Sequence, residues 1–275
     1  MKTPIFVFEE SKLKDNYNSL ESLCKNYFKD FKIAFSVKTN SSPLVIKTLA
    51  SLSSGFEVAS FNEMKLINKK SKFIVFNSPA KTDEELKLAI KQGFLINIDS
   101  KSEIDKIAKL IKKPFEANLR ITLEDWKFGI EDSKIEEMID YAKAKGISVV
   151  GLHLHQGTQL NLKKYEDSMI IFENILERIK DKIKLKYIDV GGGLPDKTQL
   201  KNLSLSMNNY LEVISKHLSK FNATIILEPG RALASEAFYL LTKVIVIKRN
   251  FNNNYAVLDA GINLLPRTFT YTFST

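Results

Sequence analysis

The sequence predicts a (β/α)8 barrel with part of a second, β-rich domain attached. Three observations predict it. Eight short, almost wholly apolar runs recur along the chain, a helical pattern separates each run from the next, and the alternation stops after Arg231. Strands buried on both faces of a parallel sheet read as continuous apolar runs. Eight such βα units favour a closed barrel over an open sheet. The 275 residues suffice, because a barrel of this kind takes about 250.

The elements follow in order. Residues 5–8 are β-like, and a helix comes next, with Ser11 as its expected cap and Leu13, Tyr17, Leu20 and Leu23 on one face. Barrel strands are expected at 32–37, 55–58, 73–76, 95–98, 115–121, 149–154, 185–190 and 224–227. Helical periodicity appears at 44–52, 62–68, 83–92, 102–111, 135–145, 165–179 and 203–221. After Arg231, residues 239–248 and 254–259 are β-like, and the Asn-rich 250–253 reads as the turn between two antiparallel strands. The last stretch, 268–275, alternates apolar, aromatic and polar residues. An unpaired strand of that kind invites association. The expected organisation is a barrel over 9–236 and a truncated β domain from 1–8 and 237–275.

The net charge is +9, and only five of the basic residues are arginine. The lysines are spread along the helical stretches among acidic residues, which describes a solvated surface and not the dense patch of a nucleic-acid binder. Cys24 is the single cysteine, so no disulfide can form within the chain, as expected in a reducing compartment. Residues 1–8 do not read as a signal peptide, and no apolar run reaches the roughly 18 residues of a membrane span. A cytoplasmic protein without nucleic-acid or membrane partners is expected.

Barrel enzymes place their chemistry where strands end. The first barrel strand runs into Lys38. In the barrel mouth, desolvation would lower its pKa and make a nucleophilic amine; the plainer reading is a surface lysine. The seventh strand runs into Gly191, Gly192 and Gly193, which suit either a backbone cradle for an anion or a tight turn. The eighth ends Glu228-Pro229-Gly230-Arg231. Such a carboxylate and arginine can serve two groups of one ligand or pair with each other on the surface. His153 and His155 face one side of the sixth strand. A zinc site needs at least three protein ligands, and the third histidine, His217, lies in a helical stretch, so no metal is expected.

A lysine, a carboxylate, a glycine run, an arginine and a flat ring at different strand ends suit pyridoxal phosphate. Here the sequence resembles the fold-type III decarboxylases, the family of diaminopimelate, ornithine and arginine decarboxylases, whose barrel is of the alanine-racemase-like type. The resemblance rests on nine stretches: TPIFVF from Thr3, FSVKTN from Phe35, GFEVASFNE from Gly55, PAKTDEEL from Pro79, KFGI from Lys127, GLHLHQGTQ from Gly151, DVGGGLP from Asp189, EPGR from Glu228 and DAGIN from Asp259. It implies that Lys38 carries pyridoxal 5'-phosphate as a Schiff base and that His155 stacks on its ring. Glu228 would pair with the pyridine nitrogen. Gly191, Gly192, Gly193, Gly230, Arg231 and Thr158 would surround the phosphate. Glu57 stands where the family usually has Asp near the ring, and Arg120 and Glu63 would support these residues. Arg267 and Tyr271 match the pair with which diaminopimelate decarboxylases hold the substrate's far end. The segment 121–128 is shorter than in the family, and the sequence stops before its cysteine-containing motif and late tyrosine.

The resemblance thus implies a homodimeric amino acid decarboxylase. The alternatives are a non-catalytic, pyridoxal-phosphate-binding regulatory homologue and an amino acid racemase on the same barrel. Racemases of this type usually place an arginine at the pyridine nitrogen, and Glu228 stands against them.

Overall fold

The apolar runs form strands and the amphipathic stretches between them form helices. The computed structural model describes residues 2–67, 73–124 and 127–265. In chain order the elements are β1 (Ile5–Phe8), α1 (Glu10–Tyr27), β2 (Phe31–Ser36), α2 (Pro43–Ser51), β3 (Gly55–Val58), α3 (Phe61–Leu66), β4 (Ile74–Phe76) and α4 (Asp83–Gln92). Then come β5 (Leu95–Ile98), α5 (Lys101–Leu110), β6 (Phe115–Thr122), β7 (Ile130–Glu131), α6 (Ile135–Ala144), β8 (Ile147–Leu154), α7 (Leu162–Ile179) and β9 (Tyr187–Asp189). The series ends with α8 (Lys197–Asn202), α9 (Met207–Leu218), β10 (Thr224–Leu227), α10 (Arg231–Ala234), β11 (Phe238–Leu241), β12 (Val244–Asn250) and β13 (Asn253–Leu258).

Strands β2, β3, β4, β5, β6, β8, β9 and β10 pair in parallel in that order, and β10 pairs back to β2. This is the closed eight-stranded barrel the sequence predicts. The strands carry fully buried Phe35, Phe56, Phe76, Ile96, Leu119 and Leu152. Local chemistry sets the helix ends. Thr82 and Glu85 form a reciprocal capping box at the start of α4, and Gly93 closes that helix in the left-handed region. Ser42 caps α2, whose first residue is Pro43.

The structure differs from the sequence expectation at several points, and the run expected as one strand at 239–248 is two, β11 and β12. Ser11 does not cap α1, which begins at Glu10; its hydroxyl faces the Glu9 carboxylate, and the acidic first turn suits the helix dipole. The buried face of α1 ends on Cys24 and not on Leu23. The stretch 203–221 is not one helix. Its α-helix starts only at Met207, with a capping box of Ser206 and Asn209, and a short helix not expected from the sequence, α8, precedes the Ser204 turn at φ 54°.

The chain divides into two compact units, Leu13–Ser235 and Met1–Lys12 with Glu236–Thr275. In the second, β1 pairs antiparallel with β11, and β12 and β13 form a hairpin whose last pair is Asn250 with Asn253. Asp259 accepts hydrogen bonds from the Thr3 and Thr242 hydroxyls and the Lys243 backbone. Among the described residues no helix is long and apolar enough to cross a membrane.

Candidate active site

The barrel strands deliver one polar residue after another to a single end. Strand β2 stops at Ser36, and Val37–Thr39 form a 3-10 turn that carries Lys38. The Lys38 Nζ donates to both Glu57 oxygens at 2.9 Å. Glu57, on β3, is fully buried and also accepts from the Ser36 hydroxyl at 2.5 Å. Burial pulls the Lys38 ammonium down, but the charges of Glu57 and then Glu228 outweigh it, and its pKa lies above the ordinary lysine value. The sequence expectation of a depressed lysine is corrected on this point: the desolvation is present, and a fully buried carboxylate in contact overrides it. Burial, and then the charge of Glu228, also raise Glu57, against the pull of Lys38 and Ser36.

Glu228 follows β10 and is 2% exposed. Its Oε2 accepts from the Asn77 amide at 3.3 Å, whereas its Oε1 is buried with no hydrogen-bond partner. The same Asn77 amide donates to His153 Nε2 at 3.0 Å. His153, on β8, is fully buried. Burial, reinforced by Arg120, Lys38 and Lys81, keeps its ring neutral, well below the usual histidine range. Two residues on, His155 lies parallel to it, with ring centroids 6.4 Å apart and planes at 3°. This is the shared face that the i, i+2 spacing predicts. His155 Nδ1 accepts from the Gly192 N–H at 3.1 Å, which fixes the ring. Burial, and next the neighbouring His153, pull the His155 imidazole down to about 4.

The glycine run shows why glycine is needed there. A Cβ on Gly193 would run into the Gly157 carbonyl, and φ is 83°. A Cβ on Gly192 would meet the Glu228 carbonyl. The run lets the chain leaving β9 pass against the loops after β8 and β10. The Gly191 N–H donates to Asp189 Oδ1 and the Gly192 N–H to His155. Two of the three N–H groups expected to cradle an anion are thus engaged within the protein. Gly230 meets Thr39 as closely, so no side chain fits there either. Arg231 extends its guanidinium to the Thr158 hydroxyl at 2.9 Å, which brings together two of the groups expected around a phosphate.

A cavity of about 550 Å³ is lined in part by Lys38, Asn77, Arg120, His155 and Phe128. Arg120 is buried and paired with Asp99 at 3.3 Å. Glu63 accepts from the Ala59 N–H at 2.8 Å, at the start of the helix after β3. Arg267 and Tyr271 lie outside the described residues.

Sequence reasoning missed Asn77, Asn97, Asn118 and the carboxylate of Asp189 as participants. Asn118 donates to Asn97 at 3.1 Å, and Asn97 donates to Asp189 at 3.0 Å, all three fully buried. The available signal was a lone polar residue inside or just after an apolar run, repeated strand after strand. His153, Asp189 and Glu228 bring potential metal-ligand atoms within 4.8 Å of one another. Asn77, Asn97 and Gly191 bond to these side chains, and we read the group as a hydrogen-bonded network.

Comparison with known proteins agrees with this geometry. The profile of the family described as pyridoxal-dependent decarboxylase, pyridoxal binding domain, matches residues 15–235. The diaminopimelate decarboxylase of Aquifex aeolicus is 27% identical over 293 aligned residues, covering 98% of this chain and 69% of that one. The crystal structure of diaminopimelate decarboxylase from Helicobacter pylori complexed with L-lysine superposes with a TM-score of 0.88 at 27% identity, over 98% of this chain and 74% of that one. A lysine decarboxylase structure from Selenomonas ruminantium gives 0.83 at 25% identity, over 100% and 74%.

Proposed function

Since the chain belongs to the pyridoxal-dependent decarboxylases, enzymes that act on amino acids with pyridoxal 5'-phosphate, we propose that it is a diaminopimelate decarboxylase-like enzyme. Its reaction would remove the α-carboxylate of a small amino acid with an acidic or polar far end, with Lys38 carrying the cofactor. One observation carries this reading. Lys38 opens onto the same cavity as the flat His155 ring, and close by Glu228 has a buried carboxylate oxygen with no partner. A buried orphan acceptor calls for a donor, and a protonated pyridine nitrogen is one.

The residues present fit the cofactor. Bound pyridoxal phosphate supplies an electron sink for the pair released as the Cα–carboxylate bond breaks. Glu228 would keep the proton on the ring nitrogen, because a carboxylate favours that cation and a neutral amide does not. His155 offers an uncharged flat face. Arg231 and Thr158 offer a guanidinium and a hydroxyl to the phosphate. Glu57 orients Lys38 and takes part in its proton balance. The assignment of an acidic far end to Arg267 and Tyr271 is supported by the motif match and by relatives named diaminopimelate decarboxylase. We assign the cofactor to residues 9–236 and a β domain to 1–8 and 237–275, in a cytoplasmic homodimer.

Carbon dioxide release across a panel of diaminopimelate, lysine, ornithine and arginine tests this. Release chiefly from diaminopimelate is expected, with Glu228→Gln slower by at least about a hundredfold, comparable to the loss of one preorganised charge interaction. Faster release from lysine would move the substrate assignment. Inversion of an amino acid without carbon dioxide would make the chain a racemase.

A further inference from the structure

We propose that Asn77 is a positioning residue of the site: its side-chain NH2 group engages Glu228 Oε2 and the lone pair of His153 Nε2 together, and so leaves Glu228 Oε1 for the ligand. That the ligand atom is the cofactor's ring nitrogen rests on the reading of Glu228 given above.

Asn77 directly follows β4, and its backbone N–H donates to the Val58 carbonyl at 2.9 Å, which holds it against the end of β3. Its side chain is buried and lines the cavity together with Lys38 and His155. From there Nδ2 reaches His153 Nε2 at 3.0 Å and Glu228 Oε2 at 3.3 Å. Those two atoms are themselves 3.4 Å apart. The Glu228 backbone is fixed as well, because its N–H donates to the Gly191 carbonyl at 2.8 Å. Among the described residues, Glu228 Oε1 and Asn77 Oδ1 are buried without a hydrogen-bond partner.

The chemistry of the three groups fixes the direction of these bonds. A carboxylate only accepts, so the Asn77 atom that faces Glu228 must be the NH2 nitrogen and not the carbonyl oxygen. A turned amide would set two oxygens against each other with no hydrogen between them. The same NH2 group lies on His153 Nε2, which must therefore accept, and the neutral imidazole carries its hydrogen on Nδ1. Two hydrogens on one nitrogen thus meet two acceptors. Without a hydrogen on Nε2, His153 cannot donate across the 3.4 Å gap to Glu228. If the Asn77 amide is removed, the ring is free to take the other tautomer and to donate to Glu228 itself, which would draw the carboxylate towards β8. Asn77 therefore sets which group holds Glu228 and from which side, and it acts on the cofactor only through Glu228.

Nitrogen NMR of the full chain labelled with ¹⁵N-histidine tests the bond directions without the cofactor. The chain has three histidines, and the signals lost in His153→Gln identify that ring. At neutral pH His153 should be the Nδ1–H tautomer. In Asn77→Leu and in Asn77→Asp, which both lack the NH2 group, a hydrogen should appear on Nε2. With ¹⁵N-labelled pyridoxal phosphate bound, Asn77→Leu should shift the ring nitrogen towards its unprotonated value. Its kcat for diaminopimelate should fall at least about tenfold with KM within about threefold, as loss of a bond to a charged group that the substrate does not touch implies. An Nε2–H tautomer of His153 in the unmodified protein, a tautomer unchanged in both variants, or an Asn77→Leu protein with the ring nitrogen and kcat of the parent would each overturn the proposal. Should Asn77→Leu fail to fold, the tautomers of the parent and of Asn77→Asp still decide. If Glu228→Gln leaves the ring nitrogen protonated, the reading of Glu228 fails, and the tautomers still decide separately whether Asn77 holds His153 and Glu228 Oε2.

Discussion

Replacing Glu57 with Gln removes the charge that keeps Lys38 an ammonium ion. At 2.9 Å, two unit charges attract by roughly 6 kcal/mol at an effective dielectric of about 20. Water reaches the Lys38 side chain, which is 49% exposed, and screening reduces the effect to about 1–3 kcal/mol. That amounts to about one to two pH units. The sign follows from the charge. Glu57 favours the protonated amine, so its loss must lower the Lys38 pKa and raise the fraction of free amine at neutral pH. Competitive acylation with acetic anhydride, read at the Lys38 peptide by mass spectrometry across a pH series, gives the midpoint directly. The midpoint should move down in Glu57→Gln by about one to two units. An unchanged or higher midpoint would refute the claim that Glu57 outweighs burial at Lys38.

Two further outcomes are expected. Folding should lose stability as pH falls from about 6.5 towards 4, because the folded protein holds His155 neutral at a pKa of about 4 while the unfolded chain takes up the proton. The loss from this one group is on the order of 3 kcal/mol, and His155→Gln should flatten that part of a urea-denaturation pH profile; an equally steep profile would show that His155 is not held neutral. Gly193→Ala forces a Cβ into the Gly157 carbonyl at positive φ and should cost about 2 kcal/mol or more, seen as a lower Tm, and a variant as stable as the parent would contradict the packing account.

Much of the fold was legible because burial leaves a one-dimensional trace. The β3, β5 and β10 runs match their sequence boundaries, and the Asn-rich turn at 250–253 marks the hairpin between β12 and β13. The site's strand-end residues were legible for the same reason: Lys38, His155 and Glu228 each follow or finish an apolar run. Other features depend on pairing across the barrel. Nothing near Lys38 in sequence says that Glu57, nineteen residues on, would meet its amine and reverse the expected pKa shift. Asn97 and Asn118 look like imperfections in apolar strands until closure of β5 on β6 joins them to Asp189. The short helix α8 and the later start of α9 were hidden, because the turn at Ser204 leaves no mark in the apolar pattern.

Everything proposed for the site turns on Lys38 as the amine that carries pyridoxal phosphate. Borohydride reduction of the protein after incubation with pyridoxal 5'-phosphate, followed by peptide mapping, tests it most directly. A single reduced, cofactor-bearing lysine is expected at position 38 and should be lost in Lys38→Ala; stoichiometric labelling of any other lysine, or undiminished labelling of Lys38→Ala, would refute the assignment.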